Sequence, residues 1–376
     1  MAREKKVYSL RRLSTWYGKY ERPISVISLI SGFIFNVFTL TRVDDFFENL
    51  WIAVHILVVA ICIILINRQE MEGKNALGSA ANPEKLHFWM VNVMQFFFGG
   101  LLSTFIVFYF RSAVITVTWP FFAILILAFI ANESFKRHYA RLSFQISFFF
   151  LSVYLFAIFL MPVLLREISN TVFLMSGGVS LIVLMLFLFV LKRFTKRSYQ
   201  AGKRIMYSSV VGIYLLVNGL YFFGLIPPLP LSLQDAGIYH SITRDGKGGY
   251  TVTREPVTFA EKMYEYVGVY PVYHIGAGDP VYAFSAIFSP IDFKVAVNHE
   301  WQYYNSSEKR WVTSITVPLS VTGGRDSGYR TYSINSGLTT GRWRVNVETA
   351  SGQTIGRMAF RVVSGVPPTA LETLTK

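Results

Sequence analysis

The densest group of chemistry-bearing residues is TGGRDSGYRTYS (residues 322–333), with three glycines, two arginines, one aspartate and two tyrosines. Gly323 and Gly324 free the backbone to reach positive φ, and Asp326 suits an Asx-type turn. Successive N–H groups in such a turn form an anion nest, which Arg325, Tyr329 and Arg330 would complete. The same residues suit a purely structural turn between strands, and that reading is preferred. A second group is periodic. Arg342 and Arg344 alternate with Trp343, Val345 and Val347, and Arg357 and Arg361 lie opposite Met358, Phe360 and Val362. Two such strands joined through ASGQ (350–353) bring four arginines onto one solvent face. That face is either an ordinary charged surface or a patch for phosphate head groups, anionic glycans or an acidic partner.

Catalytic and metal chemistry have less support. His240, His274 and His299, with Asp279, Asp292 and Glu300, are the available ligands, and none has a spacing such as HExxH. Strand alternation places His299 with Trp301 towards a core. A Ser327–His299–Asp326 hydrolase can be drawn, but nothing in the sequence brings the three together. No nucleophile elbow, P-loop or CxxC pair is present, and the single cysteine, Cys62, lies in an apolar run. No catalytic residue, metal or cofactor is therefore expected.

The elements that must position these residues divide the chain in two. Seven apolar stretches, near 23–41, 49–66, 87–110, 112–131, 143–165, 171–191 and 205–226, are long enough to cross a bilayer. Most of the net charge of +14 belongs to this half, where residues 1–226 hold 22 Lys+Arg against 10 Asp+Glu. Of those 22, 19 fall in the segments 1–22, 67–86, 132–142 and 192–204, while Arg42, Arg111 and Arg166 stand alone in the alternate loops. Such alternation expects seven spans with the N-terminus in the cytoplasm. It also makes nucleic acid an improbable partner. The first run is too long for a cleaved signal and reads as a retained anchor. The boundary between the third and fourth spans is only Arg111-Ser112, and merging them would move the C-terminal half across the membrane. Within the spans the polar residues include His55, Asn92, Gln95 and Asn218. They are expected to bond neighbouring helices, or alternatively to line a transport path.

Residues 227–233 read as a Pro-rich linker, 234–363 as an antiparallel β-sandwich, Ig-like in general architecture, and 364–376 as a disordered tail. Strands are expected at 237–243, 250–255, 281–289, 293–303, 311–320, 329–333, 343–349 and 356–363, while 258–279 fits only as a loop or short helix. The motifs NHEW (298–301), WVTSI (311–315), GGRDSGYR (323–330), GRWRVNVET (341–349) and GQTIGRMAFRV (352–362) occur in order. Over roughly 231–363 they resemble domain-of-unknown-function family 2914. The resemblance implies a bacterial source and a C-terminal domain on a membrane protein, with no established activity.

The expectation is a non-enzymatic inner-membrane protein, anchored in the lipid bilayer, whose outer β domain recognises an envelope glycan, an anionic lipid head group or a protein partner. The alternatives are a transporter, flippase or channel, and a membrane-embedded enzyme acting on lipid or glycan. The sequence is silent on oligomeric state.

Overall fold

The computed structural model describes residues 27, 30–40, 42–73, 83–134, 139, 141–245, 249–256, 270–276, 278–290, 294–324, 327–365 and 371–376. The basic segment 1–22, the start of the first apolar run, Asp292, Arg325 and Asp326 lie outside them. Among the described residues are seven helices: α1 (Ile30–Thr39), α2 (Phe46–Gly73), α3 (Pro83–Arg111), α4 (Ile115–Ser134), α5 (Leu142–Leu165), α6 (Asn170–Phe194) and α7 (Lys196–Phe222). Six of them, α2 to α7, are long and apolar enough to cross a membrane.

Local chemistry sets the helix ends. Asp45 Oδ1 accepts from the backbone N–H of Phe47 and Glu48, capping α2. Ser169 Oγ accepts from the N–H of Val172 at the start of α6, and Arg166, at φ 55°, closes α5 in the left-handed region. The insecure boundary proves to be a break. Ser112 and Ala113 bond back to Tyr109 and Phe110 in a tight turn, and α4 starts afresh at Ile115.

The chain forms two compact units, the first comprising 1–108, 122–158 and 176–218. Buried polar side chains tie its helices together. Asn67 on α2 donates to Gln145 on α5 at 2.7 Å, Gln145 donates to the Tyr139 carbonyl, and the Tyr139 hydroxyl donates to Asn132 on α4. Asn132 and Gln95 on α3 exchange bonds through their main-chain carbonyls. The outward faces of the helices carry large apolar side chains such as Trp51, Phe96, Leu127, Leu186 and Leu215. Such faces suit lipid and not water.

The second unit comprises 109–121, 159–175 and 219–376. It therefore gathers the α3–α4 turn, the α5–α6 turn and the end of α7 with the β strands. The strands are β1 (Ser232–Tyr239), β2 (Ser241–Arg244), β3 (Tyr250–Arg254), β4 (Val272–Ile275), β5 (Val281–Phe288) and β6 (Lys294–Asn305). They continue with β7 (Arg310–Thr322), β8 (Tyr329–Asn335), β9 (Gly341–Thr349), β10 (Thr354–Ser364) and β11 (Glu372–Thr375). They make a five-stranded sheet, β4-β10-β9-β6-β7, and two three-stranded sheets, β1-β5-β8 and β11-β3-β2.

The β1-β5-β8 sheet is the middle layer. One face of β5, with Val281, Ala283 and Ile287, packs on Trp301, Trp343, Val345, Val347 and Phe360 of the five-stranded sheet. The other face, with Phe284 and Ala286, packs on Ile242 and Val252 of the third sheet. Period-2 alternation with apolar residues at both parities builds such a doubly covered strand. Three layers replace the expected two-sheet sandwich.

Two boundaries need correction. The tail was expected to be disordered, yet β11 pairs with β3. Leu374 packs on the second core and Lys376 Nζ sits 2.6 Å from Asp235. The expected Pro-rich linker is buried from Ile226 to Leu231, and β1 starts at Ser232. Leu231 belongs to the main core, so burying apolar side chains outweighs any spacer role. The segment 258–279 contains a strand after all, since β4 runs parallel to the end of β10.

Candidate functional site

The arginine face forms as the alternation requires. β9 and β10 are antiparallel neighbours, with Arg361 opposite Arg342, Ala359 opposite Arg344 and Arg357 opposite Asn346. Trp343, Val345, Val347, Met358, Phe360 and Val362 are buried beneath. All four arginines therefore share the outer face of the five-stranded sheet.

β6 and β7 complete this face with residues that local reasoning did not join to it. β6 lies beside β9, placing Glu300 opposite Asn346 and Gln302 opposite Arg344. A bulge then changes the phase of β7: Trp301 pairs with Ile315 while Gln302 pairs with Thr313, leaving Ser314 unopposed. One extra residue moves all that precedes it to the other side of the sheet. Trp311 is thereby turned outward, opposite Tyr304, instead of following Val317, Leu319 and Val321 inward.

The outer face is a connected polar network. The Arg344 guanidinium lies over the Trp311 ring, 4.3 Å from its centroid, and donates from Nε to Gln302 at 2.7 Å. The Arg342 guanidinium lies 4.1 Å over Tyr304. Glu300 accepts from Thr313 at 2.7 Å and from Asn346 at 3.2 Å, and Asn346 in turn accepts from Arg357 Nε at 2.7 Å. Partial burial, then the charge of Arg357, lowers the Arg344 pKa to about 10, against the pull of Glu300. Burial followed by the neighbouring Glu300 raises that of Glu348, with Arg357 and Arg344 opposing. Carboxylates thus attend Arg357 and Arg344, while Arg342 and Arg361 are exposed and form no salt bridge among the described residues.

The TGGRDSGYRTYS loop is a pinned turn where it is described. Gly324 N–H donates to the Ser289 carbonyl, and a Cβ on Gly323 would sit 1.7 Å from the Pro290 carbonyl oxygen. Only glycine allows that approach. Tyr329 and Arg330 enter β8, where Tyr329 packs on the main core and Arg330 projects from the opposite face. Tyr329 and Arg330 are therefore on different sides of a strand, and neither shares a face with Arg342, Arg344, Arg357 and Arg361. Alternation separates the pair that the nest reading joined.

The histidines are also accounted for. His299 is fully buried between Ser285 and Ser333, with Nε2 2.8 Å and Nδ1 2.9 Å from their hydroxyls, and Trp301 Nε1 donates to the same Ser333. Burial lowers its pKa to about 4, so the ring is neutral in the core. Ser327 is exposed at the turn and His299 is committed elsewhere, so the drawn hydrolase does not assemble. His240 and His274 flank the Glu255 carboxylate at 3.2 and 2.9 Å. Among the described residues no group of three or more His, Cys, Asp or Glu is arranged to hold a metal ion.

Of the polar residues in the helices, His55 Nδ1 donates to the Trp51 carbonyl, and its ring lies between Trp51 and Phe97, 4.8 Å from each. Gly100 leaves room for that ring. Gln95 is spent on Asn132 and Glu133, Asn218 bonds Tyr154 and the Tyr214 carbonyl, and Asn92 is half-buried on α3. Gln95 and Asn218 thus bond neighbouring helices.

Comparison with curated proteins gives no match. Among solved structures, a β-glucosidase from Listeria innocua in complex with isofagomine is 16% identical, with a TM-score of 0.18. The match covers 25% of this chain and 15% of that one. A Pseudomonas fluorescens alkylpurine DNA glycosylase, AlkC, bound to DNA containing an abasic site analog, is 8% identical with a TM-score of 0.22. It covers 86% of this chain and 100% of that one. Scores this low establish no shared fold. The family comparison is specific: residues 294–362, from β6 to the end of β10, match the family described as "Protein of unknown function (DUF2914)". The strands that build the arginine face thus lie within the part of the chain that this family model matches.

Proposed function

We propose that the chain is a bacterial inner-membrane protein whose seven helices span the bilayer and hold the β domain outside, where the outer face of the five-stranded sheet binds a component of the envelope. The observation that carries recognition is that face itself: Arg342 and Arg344 are stacked on Tyr304 and Trp311, with Arg361 beside them. Guanidinium groups held on aromatic rings keep their N–H edges available for carboxylate or phosphate. No covalent step is invoked.

Two independent features support the topology. Arg111 and Arg166 are the sole basic residues of the α3–α4 and α5–α6 turns. Those same turns belong to the compact unit that contains the β strands. Loops poor in Lys and Arg are the ones left outside by the positive-inside rule, so the β domain shares their side. The apolar outward faces of the helices suit lipid.

Photo-crosslinking in intact cells tests recognition. A crosslinking residue at Thr313, exposed on the arginine face, is expected to capture an envelope component, and one at Thr251 on the third sheet is not. Equal capture from both, or none from Thr313, overturns the proposal. A membrane-impermeant maleimide is expected to label cysteine at Ser306 in intact cells, and cysteine at Arg193 only after permeabilisation. The reverse pattern sinks the topology.

A further inference from the structure

The outer face is not uniform along its strands. Both the five-stranded sheet and the β1-β5-β8 sheet have one pole near the helix ends and one far from them. The near pole holds the start of β1, the end of β7, the start of β8 and the β9–β10 turn. There Ser351 and Gln353 hydrogen-bond the Tyr221 hydroxyl at the end of α7, and Gly352 lies against Gly224. Ile168, from the α5–α6 turn, packs on the main core. Arg342, Arg361, Tyr304 and Trp311 form one row across the far pole, with Arg344 two residues along β9. From Arg342 to Thr349 the strand runs about 24 Å.

We infer that this far-pole row binds an acidic polysaccharide, a glycan chain bearing carboxylate or phosphate groups. The inference rests on the reading given under Proposed function and names the ligand class of that site. Charge is the first argument. The row itself contains two arginines and no carboxylate, because Glu300 and Glu348 lie farther along the strands and Glu308 in the β6–β7 turn is paired with Arg310. Spacing is the second. Arg361 and Arg342 stand on adjacent strands and Arg342 and Arg344 two residues apart, so their backbones are about 5 and 7 Å apart. A repeating polyanion meets such a series, whereas one phosphate meets a single member of it.

Two other occupants fit less well. An anionic lipid head group carries one phosphate and so meets a single arginine of the series. A protein strand would add to an edge of the five-stranded sheet, which ends on one side in β4, four residues long, and on the other in β7. The bulge at Ser314 and the proline at 318 both oppose pairing there. What remains is an open face with the guanidinium edges of Arg342 and Arg361 for acid groups and the side chains of Gln302 and Thr313 beside them for sugar hydroxyls.

The test uses the full chain in nanodiscs of zwitterionic lipid, titrated with four probes. Oligogalacturonate carries a carboxylate on every sugar, neutral dextran carries none, poly-L-glutamate supplies acid without sugar, and phosphatidylglycerol vesicles supply phosphate on a lipid surface. Oligogalacturonate is expected to bind in a salt-sensitive way and dextran not to bind. Arg342→Ala with Arg361→Ala is expected to weaken binding at least tenfold with the circular dichroism unchanged, and the corresponding lysine pair to restore it only in part, since lysine lacks the planar fork. Tighter binding of poly-L-glutamate or of vesicles, binding indifferent to the double substitution, or no polyanion binding at all overturns the inference. Capture from Thr313 in cells would persist in each of those cases if only the ligand class is wrong.

Discussion

The two faces of the five-stranded sheet use the same residue types to opposite ends. On the inner face Trp301 and Trp343 are buried, Trp301 donates to Ser333, and His299 is held neutral between two serine hydroxyls. His299, Trp301 and Ser333 satisfy one another inside the protein, as burial demands. On the outer face Tyr304 and Trp311 lie under guanidinium groups, and the exposed Arg342 and Arg361 have no carboxylate partner among the described residues. The inner face spends its polar groups on the fold. The outer face leaves cationic edges open, which is what a binding surface requires.

That contrast can be broken first at its strongest point. Trp301→Ala is expected to cost about 3 to 5 kcal/mol, because it empties a fully buried site and removes one of the two hydrogen bonds at the Ser333 hydroxyl. Chemical denaturation followed by circular dichroism reads it, and a cost under 1 kcal/mol would remove Trp301 from the core. Next comes pH. The folded pKa of His299, about 4, lies below its value in the unfolded chain, so the unfolded chain takes up the proton first. The stability this preserves is full above about pH 6.5 and is lost as pH falls towards 4, amounting to about 3 kcal/mol. His299→Gln should flatten the difference, and identical pH profiles for the two proteins would contradict the buried neutral ring.

The outer face should respond more weakly. Trp311→Ala is expected to lower stability by about 1 kcal/mol, since it removes a half-buried ring and its cation contact, and to reduce ligand capture as well. Arg342→Ala and Arg361→Ala should each change stability by no more than about 0.5 kcal/mol, measured by the same denaturation. A loss of 2 kcal/mol from either would make it a structural residue and erase the difference between the faces.

How much of this was legible in the sequence depends on how local each cause is. The six long apolar helices, α2 to α7, were, because a continuous apolar run is a property of neighbours along the chain, while the first expected span, 23–41, is described only as the short α1. The break after Arg111 was visible only as a weak point, since it is a turn without glycine or proline. Strands β5, β6, β9 and β10 followed from alternation, and so did the shared face of the four arginines. β4 and β11 were missed because each is four residues long and has a partner distant in sequence, on β10 and β3. The third sheet therefore did not emerge, and the tail that completes it read as loose. Tyr304 and Trp311 escaped for a sharper reason. Alternation counted back from Val321 puts Trp311 in the core, and only the unopposed Ser314 reverses it. The extended pairing Glu300, Gln302, Tyr304 was the one available signal, and it needed the β6–β9 neighbourhood to acquire meaning.

The account stands most directly on whether the open arginines are occupied in the cell. Arginine-specific modification with phenylglyoxal, mapped by mass spectrometry, can be compared between intact cells and the purified protein in nanodiscs. Arg342 and Arg361 are predicted to react readily in the purified protein and to be protected in cells, with exposed Arg310 reacting in both. Equal reaction of Arg342 and Arg361 in the two settings, with Arg310 accessible in both, would contradict a ligand on this face.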